Sequence, residues 1–330
     1  MAAIYAGIDE AGYGPLLGPL TVSMAVFHVE GWQPGDPPVD LWDRLGRAVG
    51  RAASDAPARI PIADSKKLKL PNAGARHPLL HLERGVLAML DWLSDVPPST
   101  DDELLNRIGT RWPDQPWYAG PCEPLPIAGE RTARPLDANM LRAAGAGGGG
   151  GRVRPLAIRC EIIDECAFNH TLAEHGSKSI VAQRVVSRFI DEALERWSAP
   201  DAPPLRIAVD RQSGRTNYEA CLREARPDAR IVDAARAENI SRYALAGSGL
   251  GDAAVRFETE AETRHMPVAL ASMTAKLVRE LAMRRFNRYW SARVPELKPT
   301  AGYYADARRW LRDAEAVITE AERTALVRLA

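Results

Sequence analysis

Asp9 and Glu10 stand side by side where the apolar run 4–8 ends, and a second apolar run, 205–209, leads into Asp210. Apolar runs of this length bounded by Gly and Pro read as buried strands. Carboxylates at the ends of buried strands are costly unless something offsets their charge. The row Glu258, Glu260 and Glu262 is a third source of acid. Neighbouring strand ends in a sheet bring such groups together, and a carboxylate cluster with no His or Cys suits hard, oxygen-seeking cations, Mg2+ or Mn2+. Two such ions about 4 Å apart serve in-line attack of water on a phosphodiester. One point stands against a shared site: on a regular strand Asp9 and Glu10 face opposite ways. Both reach one site only if the chain bends at Ala11 and Gly12; otherwise Glu10 is a solvated turn residue.

Two smaller groupings have competing readings. Asp64, Ser65, Lys66 and Lys67 put an acid, a hydroxyl and two cations in one loop. They either hold a phosphate or form a solvated loop in which Asp64 or Ser65 caps the next helix. Lys276 and Glu280 are four residues apart on one helix edge, which by itself is a surface salt bridge.

The elements that would position these groups follow from hydrophobic periodicity. Strands are expected at 4–10, 20–29, 156–164, 205–210, 229–233 and, from its strict alternation, 255–262. Helical spacing covers 41–49, 77–93, 180–197 and 218–225, a helix capped by Ser272 and running to about Trp290, and a C-terminal helix reaching Leu329. Strands alternating with helices place the chain in the α/β class. Residues 94–155 break this rhythm with repeated prolines, and 147–151 is a glycine run expected to be a hinge. This stretch reads as a surface insertion, helical near 137–144, in a single domain spanning 1–330; Trp112 and Trp117 point to a small packed piece within it.

The 43 basic and 43 acidic side chains cancel, so the wide basic field of many nucleic-acid binders is absent, although a local basic groove is not excluded. The cysteines, Cys122, Cys160, Cys166 and Cys221, lack zinc spacing and read as free thiols in a reducing compartment. No apolar run has the length of a membrane helix, and the N-terminus has no secretory pattern, so a cytoplasmic protein is expected, with no membrane partner.

The segment from Asp9 and Glu10 through Gly12, Tyr13, Gly14 and Pro15 to Gly18 and Pro19 resembles the N-terminal signature of ribonuclease HII, the type 2 ribonuclease H family. Further stretches match in the same order. Asp64-Ser65-Lys66-Lys67-Leu68 resembles the family's DSKKL loop, and Val209-Asp210 its third-acid strand. The helix with Ala271-Ser272, Ala275-Lys276 and Arg279-Glu280 resembles AS-x-x-AK-x-x-RD, and Gly302-Tyr303 followed by Asp306 resembles GYP-x-D. The resemblance covers most of the chain outside 94–155. It implies a ribonuclease H-like fold, a mixed central sheet flanked by helices, and a two-metal endonuclease acting on the RNA strand of RNA/DNA hybrids to leave 5′-phosphate and 3′-hydroxyl ends.

Carried over residue by residue, the resemblance makes Asp9, Glu10, Asp210 and Glu262 the catalytic metal ligands for Mg2+ or Mn2+, with Glu260 competing for the fourth place. Gly12, Tyr13 and Gly14 would line the ribose 2′-hydroxyl, Lys66 would hold backbone phosphate, and Tyr303 would stand near the ribose. Lys276 and Glu280 would support. The implied partner is an RNA/DNA hybrid, or a duplex with embedded ribonucleotides, bound by a monomer. Four features depart from the family: Tyr13 replaces the Arg or Lys of its Gly-Arg-Gly or Gly-Lys-Gly turn, the fourth acid is Glu rather than Asp, no proline follows Tyr303, and the insertion is long. A nuclease with altered specificity for DNA or structured nucleic acid, and a catalytically silent nucleic-acid-binding protein, are the alternatives.

Overall fold

The computed structural model describes residues 1–72, 74–147, 150–211 and 215–329. β1 (Ala2–Ala11) is buried from residue 3 to residue 9, as expected of a strand covered on both faces. It pairs antiparallel with β2 (Leu20–Glu30). α1 (Leu41–Arg44), the two-residue strands β3 (Val49–Gly50) and β4 (Ile60–Pro61), and α2 (Ser65–Leu68) then lead to α3 (Leu80–Leu93). The helical spacing at 41–49 is realised only as α1, because the chain enters β3 at Val49.

α4 (Asp101–Arg107) and α5 (Arg134–Gly145) lie in the proline-rich stretch. β5 (Val153–Ile163), α6 (Glu165–His175), α7 (Lys178–Trp197), β6 (Leu205–Asp210) and α8 (Glu219–Ala225) follow. The chain then forms β7 (Arg230–Ala237), β8 (Ile240–Ala246), β9 (Ala253–Glu258), α9 (Met266–Arg293), α10 (Tyr304–Asp313) and α11 (Glu320–Leu326). No helix among the described residues is long and apolar enough to cross a membrane.

The large sheet has strand order β5-β2-β1-β6-β9-β8-β7. β1, β6 and β9 run parallel, and the other neighbours are antiparallel, so the sheet is mixed. Tyr5, Ala25, Phe27 and Val29 face α3 and α9 on one side, while Ile4, Ile8, Met24, Val209 and Phe257 face α7 and α8 on the other. Gly7 is the crossing point of α9 over β1: a Cβ there would lie 2.2 Å from the Val268 backbone nitrogen. Ile8 pairs with Val209 and Asp210 with Glu258, so β1, β6 and β9 end together at the sheet edge where the acids stand.

Several elements differ from the sequence reading. The strand predicted at 255–262 stops at Glu258; Glu260 adopts a left-handed conformation, φ 55°, and a single tight turn follows over 261–263. β8 was not read at all, since polar Ser241 and Arg242 interrupt its apolar pattern. Ser272 does not cap α9, which begins six residues earlier at Met266 with Pro267 in the first turn, where proline is favoured. The predicted C-terminal helix is two helices, the second restarted by a Thr319–Glu322 capping box. α6 was missed although Asp164 caps its start and Gly176 its end.

The stretch 94–155 packs on the layer formed by α3 and α9. Its Leu104, Leu105, Ile108, Leu125 and Leu141 join the cluster of α3 and α9, and Trp117 lies edge-on to Phe286 of α9. Buried carboxylates and guanidinia fasten it. Glu83 of α3 accepts from the backbone N–H groups of Ile127 and Ala128, both at 2.6 Å. Asp91 binds Arg134, and Arg285 of α9 binds Asp101 at 2.8 Å. Its last residues, from Val153, belong to β5. Of the glycine run read as a hinge, 148 and 149 lie outside the described residues.

Candidate active site

Asp9 is buried on the α9 face of the sheet. Its Oδ1 accepts from the Glu10 N–H at 2.7 Å, and the Ser272 hydroxyl donates to its carboxylate. Ser272 has one proton to give, so the Ser65 hydroxyl 3.0 Å away is the donor of that second bond. The chain Ser65–Ser272–Asp9 therefore ties α2 and α9 to the end of β1. Sequence reading missed this role of Ser272 because it placed the residue at a cap; in α9 it is an interior, buried position.

β1 does not bend to bring Glu10 round. It keeps register with β2 through Asp9↔Ser23, Glu10↔Val22 and Ala11↔Thr21. Its pairing with β6 ends at Ile8, so beyond that point the β6 side of β1 is unpaired. The charge of Glu10 acts on both Asp9 and Asp210. Asp210 Oδ1 accepts from the Ala261 N–H at 3.0 Å, which draws the turn after β9 toward it and brings Glu262 to its side. Glu262 Oε2 is buried and has no hydrogen-bond partner. Glu260 is exposed, at a left-handed kink. Glu258 turns away, held by His265 Nε2 at 2.9 Å and by Arg264. Of the acidic row, Glu262 alone joins Asp210.

The electrostatics follow from this crowding. Burial raises the pKa of Asp9 well above its ordinary value, and Glu10 and Asp210 push it the same way. Burial and the neighbouring Glu262 push Asp210 up to about 7. Burial also works against the charge of Glu258, but His265, Arg256 and Arg264 outweigh it and hold that carboxyl at about 2. Asp210 and Glu262 are within hydrogen-bond reach of each other, while among the described residues no three His, Cys, Asp or Glu side chains are gathered closely enough to hold an ion as they stand. The donor set nevertheless fits a hard cation: all the groups are carboxylates, their charges raise the pKa of Asp9 and Asp210, and one buried oxygen is unpartnered.

A second group forms beside these acids. Glu280 lies 2.8 Å from Lys276 and 3.0 Å from Lys69, largely buried, so the i,i+4 pair is not the surface salt bridge its spacing predicts. Burial disfavours the Glu280 charge, yet Lys276 and Lys69 hold its pKa below the ordinary value. Lys69 was not singled out in the sequence because its partner is distant along the chain. Tyr303 is half exposed, its ring 5.8 Å from Lys276 and 5.4 Å from Arg279. Lys66 is exposed at the start of α2, where Asp64 accepts its N–H as the helix cap.

Arginines hold the intervening loop. Arg279, fully buried, donates through Nη2 to the carbonyls of Leu17 and Ala301. Arg328 donates to the carbonyls of Gly12 and Tyr13 at 2.5 and 2.8 Å. Glu165 accepts from the Gly18 N–H at 3.0 Å. Tyr13 packs its ring partly into the core cluster of the α7 face, and Gly14 is exposed. Asp306, matched in the sequence motif, accepts from Thr300 and from the Ala301 N–H, shaping the turn that presents Tyr303.

Gly302 makes this turn possible. Its φ is +83°, its carbonyl accepts from the N–H groups of Leu16 and Leu17, and a Cβ would stand 2.2 Å from the Leu17 carbonyl oxygen. Gly302→Ala is expected to lose about 1–3 kcal/mol in urea unfolding. A loss near zero would show that the turn is not fixed to the Leu16–Leu17 backbone.

No family model matches the chain, and no curated protein matches it. Solved structures do. Ribonuclease HII of Archaeoglobus fulgidus, determined as a complex with PCNA, is 17% identical with a TM-score of 0.42, over 99% of this chain and 94% of that one. Ribonuclease H2 of Pyrococcus horikoshii is 17% identical with a TM-score of 0.41, over 94% and 86%. Bst-RNase HIII, determined with Mn2+, is 14% identical with a TM-score of 0.44, over all of this chain and 66% of that one. The solved structures to which this chain is similar are thus type 2 ribonucleases H, at identities too low to transfer any residue's role.

Proposed function

We propose that the chain is a divalent-metal-dependent endonuclease that hydrolyses the RNA strand of RNA/DNA hybrids, leaving 5′-phosphate and 3′-hydroxyl ends. One observation carries the reading: Asp9, Glu10, Asp210 and Glu262, from three separate elements, act on one another at a single sheet edge, with an unpartnered buried oxygen among them. When bound there, Mg2+ or Mn2+ supplies water activation and neutralises charge at the scissile phosphate.

The chain's own residues do the rest. Ser272 fixes the Asp9 carboxylate, and the Ala261 N–H fixes that of Asp210. Arg328 bonds the carbonyls of Gly12 and Tyr13 and so fixes the turn 12–14, whose N–H groups would grip a ribose 2′-hydroxyl. Arg279, matched to the arginine of the family's helix motif, is fully buried behind Gly12 and does not replace the cation of the Gly-Arg-Gly turn. Lys66, exposed at the start of α2, is the cation that would hold the backbone, while Lys276 neutralises Glu280.

The test is Mg2+- or Mn2+-dependent cleavage of three labelled substrates: an RNA/DNA hybrid, a duplex DNA, and a DNA duplex with one ribonucleotide. Cleavage of the ribonucleotide-containing substrates with duplex DNA left intact is expected. Cleavage of duplex DNA at the same rate would assign the turn 12–14 no part in sugar discrimination. Binding of hybrid without metal-dependent cleavage would overturn the enzymatic reading.

A further inference from the structure

α9 covers the sheet only from its crossing at Gly7 onward. Behind that crossing, at the end of β1 opposite the acids, the segment 31–39 folds over Tyr5 and its neighbours. Between them lies a cavity of about 440 Å3. Trp32, Pro37 and Val39 form one wall, and Arg206, Arg242 and Arg256 project from three strands on the other. The volume falls in the range of small-molecule sites, and a mostly apolar wall with a few charged groups is their usual make-up.

The arginines are not alike. Arg206 is accounted for: it forks onto Asp252 at 2.8 and 2.6 Å and lies 5.0 Å over the Trp32 ring. Arg242 and Arg256 are directly opposite each other in the antiparallel β8–β9 pair. Like charges in that position destabilise a sheet. Arg242 is exposed and makes no ion pair or hydrogen bond among the described residues. Arg256 is half-buried, and its nearest carboxylate, Glu258, is 3.8 Å away and already held by Arg264 and His265. Burial, with Arg242 facing it, lowers the Arg256 pKa below the ordinary value. The nearby acids do not supply the missing anion: Asp36 accepts from the Gln33 N–H at 2.8 Å, and Asp40 caps α1 and pairs with Arg51.

Two facing guanidinia with unspent N–H forks match the oxygens of a phosphate better than a single carboxylate does. We propose that this cavity binds a phosphate ester with a flat apolar body, its oxyanion between Arg242 and Arg256 and its body against Trp32, Pro37 and Val39. Tyr5 and Asp9 are four residues apart on β1, roughly 13 Å, so this site is separate from the acidic edge and independent of the activity proposed for it.

The test is calorimetric titration of the full chain with phenyl phosphate, adenosine 5′-monophosphate and inorganic phosphate. Saturable binding of at least one ester is expected, about ten-fold or more tighter than inorganic phosphate. Arg242→Ala and Arg256→Ala should each weaken it by about ten-fold or more, while Asp9→Asn leaves it unchanged. Because Arg242→Ala removes an opposed charge, its melting temperature should equal or exceed that of the unaltered chain. Preference for the adenosine ester over phenyl phosphate would identify a nucleotide source, and the reverse a simpler aryl ester; either supports the site. Failure of both esters to bind, equal affinity for inorganic phosphate, or unchanged affinity in both arginine variants would overturn it.

Discussion

Asp9→Asn and Asp210→Asn are each expected to reduce metal-dependent cleavage of an RNA/DNA hybrid by at least about 10²–10³-fold, with the fold retained. The substitutions keep shape and remove charge. Asp9 keeps an oxygen able to accept from the Glu10 N–H and from Ser272, and Asp210 keeps one for the Ala261 N–H. Each change also relieves repulsion, since both carboxylates are crowded by burial and by neighbouring acids. Stability should therefore hold or rise while activity falls, a combination that a misfolded variant cannot produce. Single-turnover cleavage together with thermal unfolding of the same samples measures both. Turnover like that of the unaltered chain in the folded variants would remove these carboxylates from the chemistry. Glu260→Gln is the internal control: the residue is exposed and is not among the charges that raise the Asp210 pKa, so cleavage should be unaffected.

Much of this arrangement was legible in the sequence, for identifiable reasons. β1, β2 and β6 are continuous apolar runs because the sheet is covered on both faces, and the acids mark their ends. What periodicity cannot carry is where a strand stops being a strand. The alternation at 255–262 reads through Glu258 without a break, yet at Glu260 the backbone turns left-handed and changes which acid faces Asp210. The contacts that fix the site were invisible for a different reason. Ser65 to Ser272, Lys69 to Glu280 and Arg328 to Gly12 each join residues more than two hundred positions apart. In the long proline-rich stretch the prolines signal broken helices but not where the pieces dock; Glu83, Asp91 and Arg285 decide that from outside it.

The crowding of the acids has a second measurable consequence, one that does not depend on catalysis. Asp210 is pushed up to about 7 in the folded chain from an ordinary value of 3.8. The folded state then holds a proton that the unfolded chain has released, so the contribution of this group to stability is present at low pH and is lost as pH rises from about 4 through about 7. Glu165, also pushed up to about 7 by burial, titrates in the same window, so the readout is the difference between the unaltered chain and Asp210→Asn rather than either curve alone. With a chelator present, the melting temperature of the unaltered chain should fall relative to that of the variant between pH 5 and pH 8.

A divalent cation acts in the opposite sense. Mn2+ at a hundred times its dissociation constant stabilises a folded state by about 2.7 kcal/mol, which at about 2–4 °C per kcal/mol is a shift of several degrees. The shift should be larger at pH 8 than at pH 5, where protons compete for the same oxygens, and it should be nearly absent in Asp210→Asn. An equal Mn2+ shift in both proteins, or at both pH values, would place the bound ion somewhere other than beside Asp210 and would leave the repulsion at the ends of β1 and β6 without a chemical purpose.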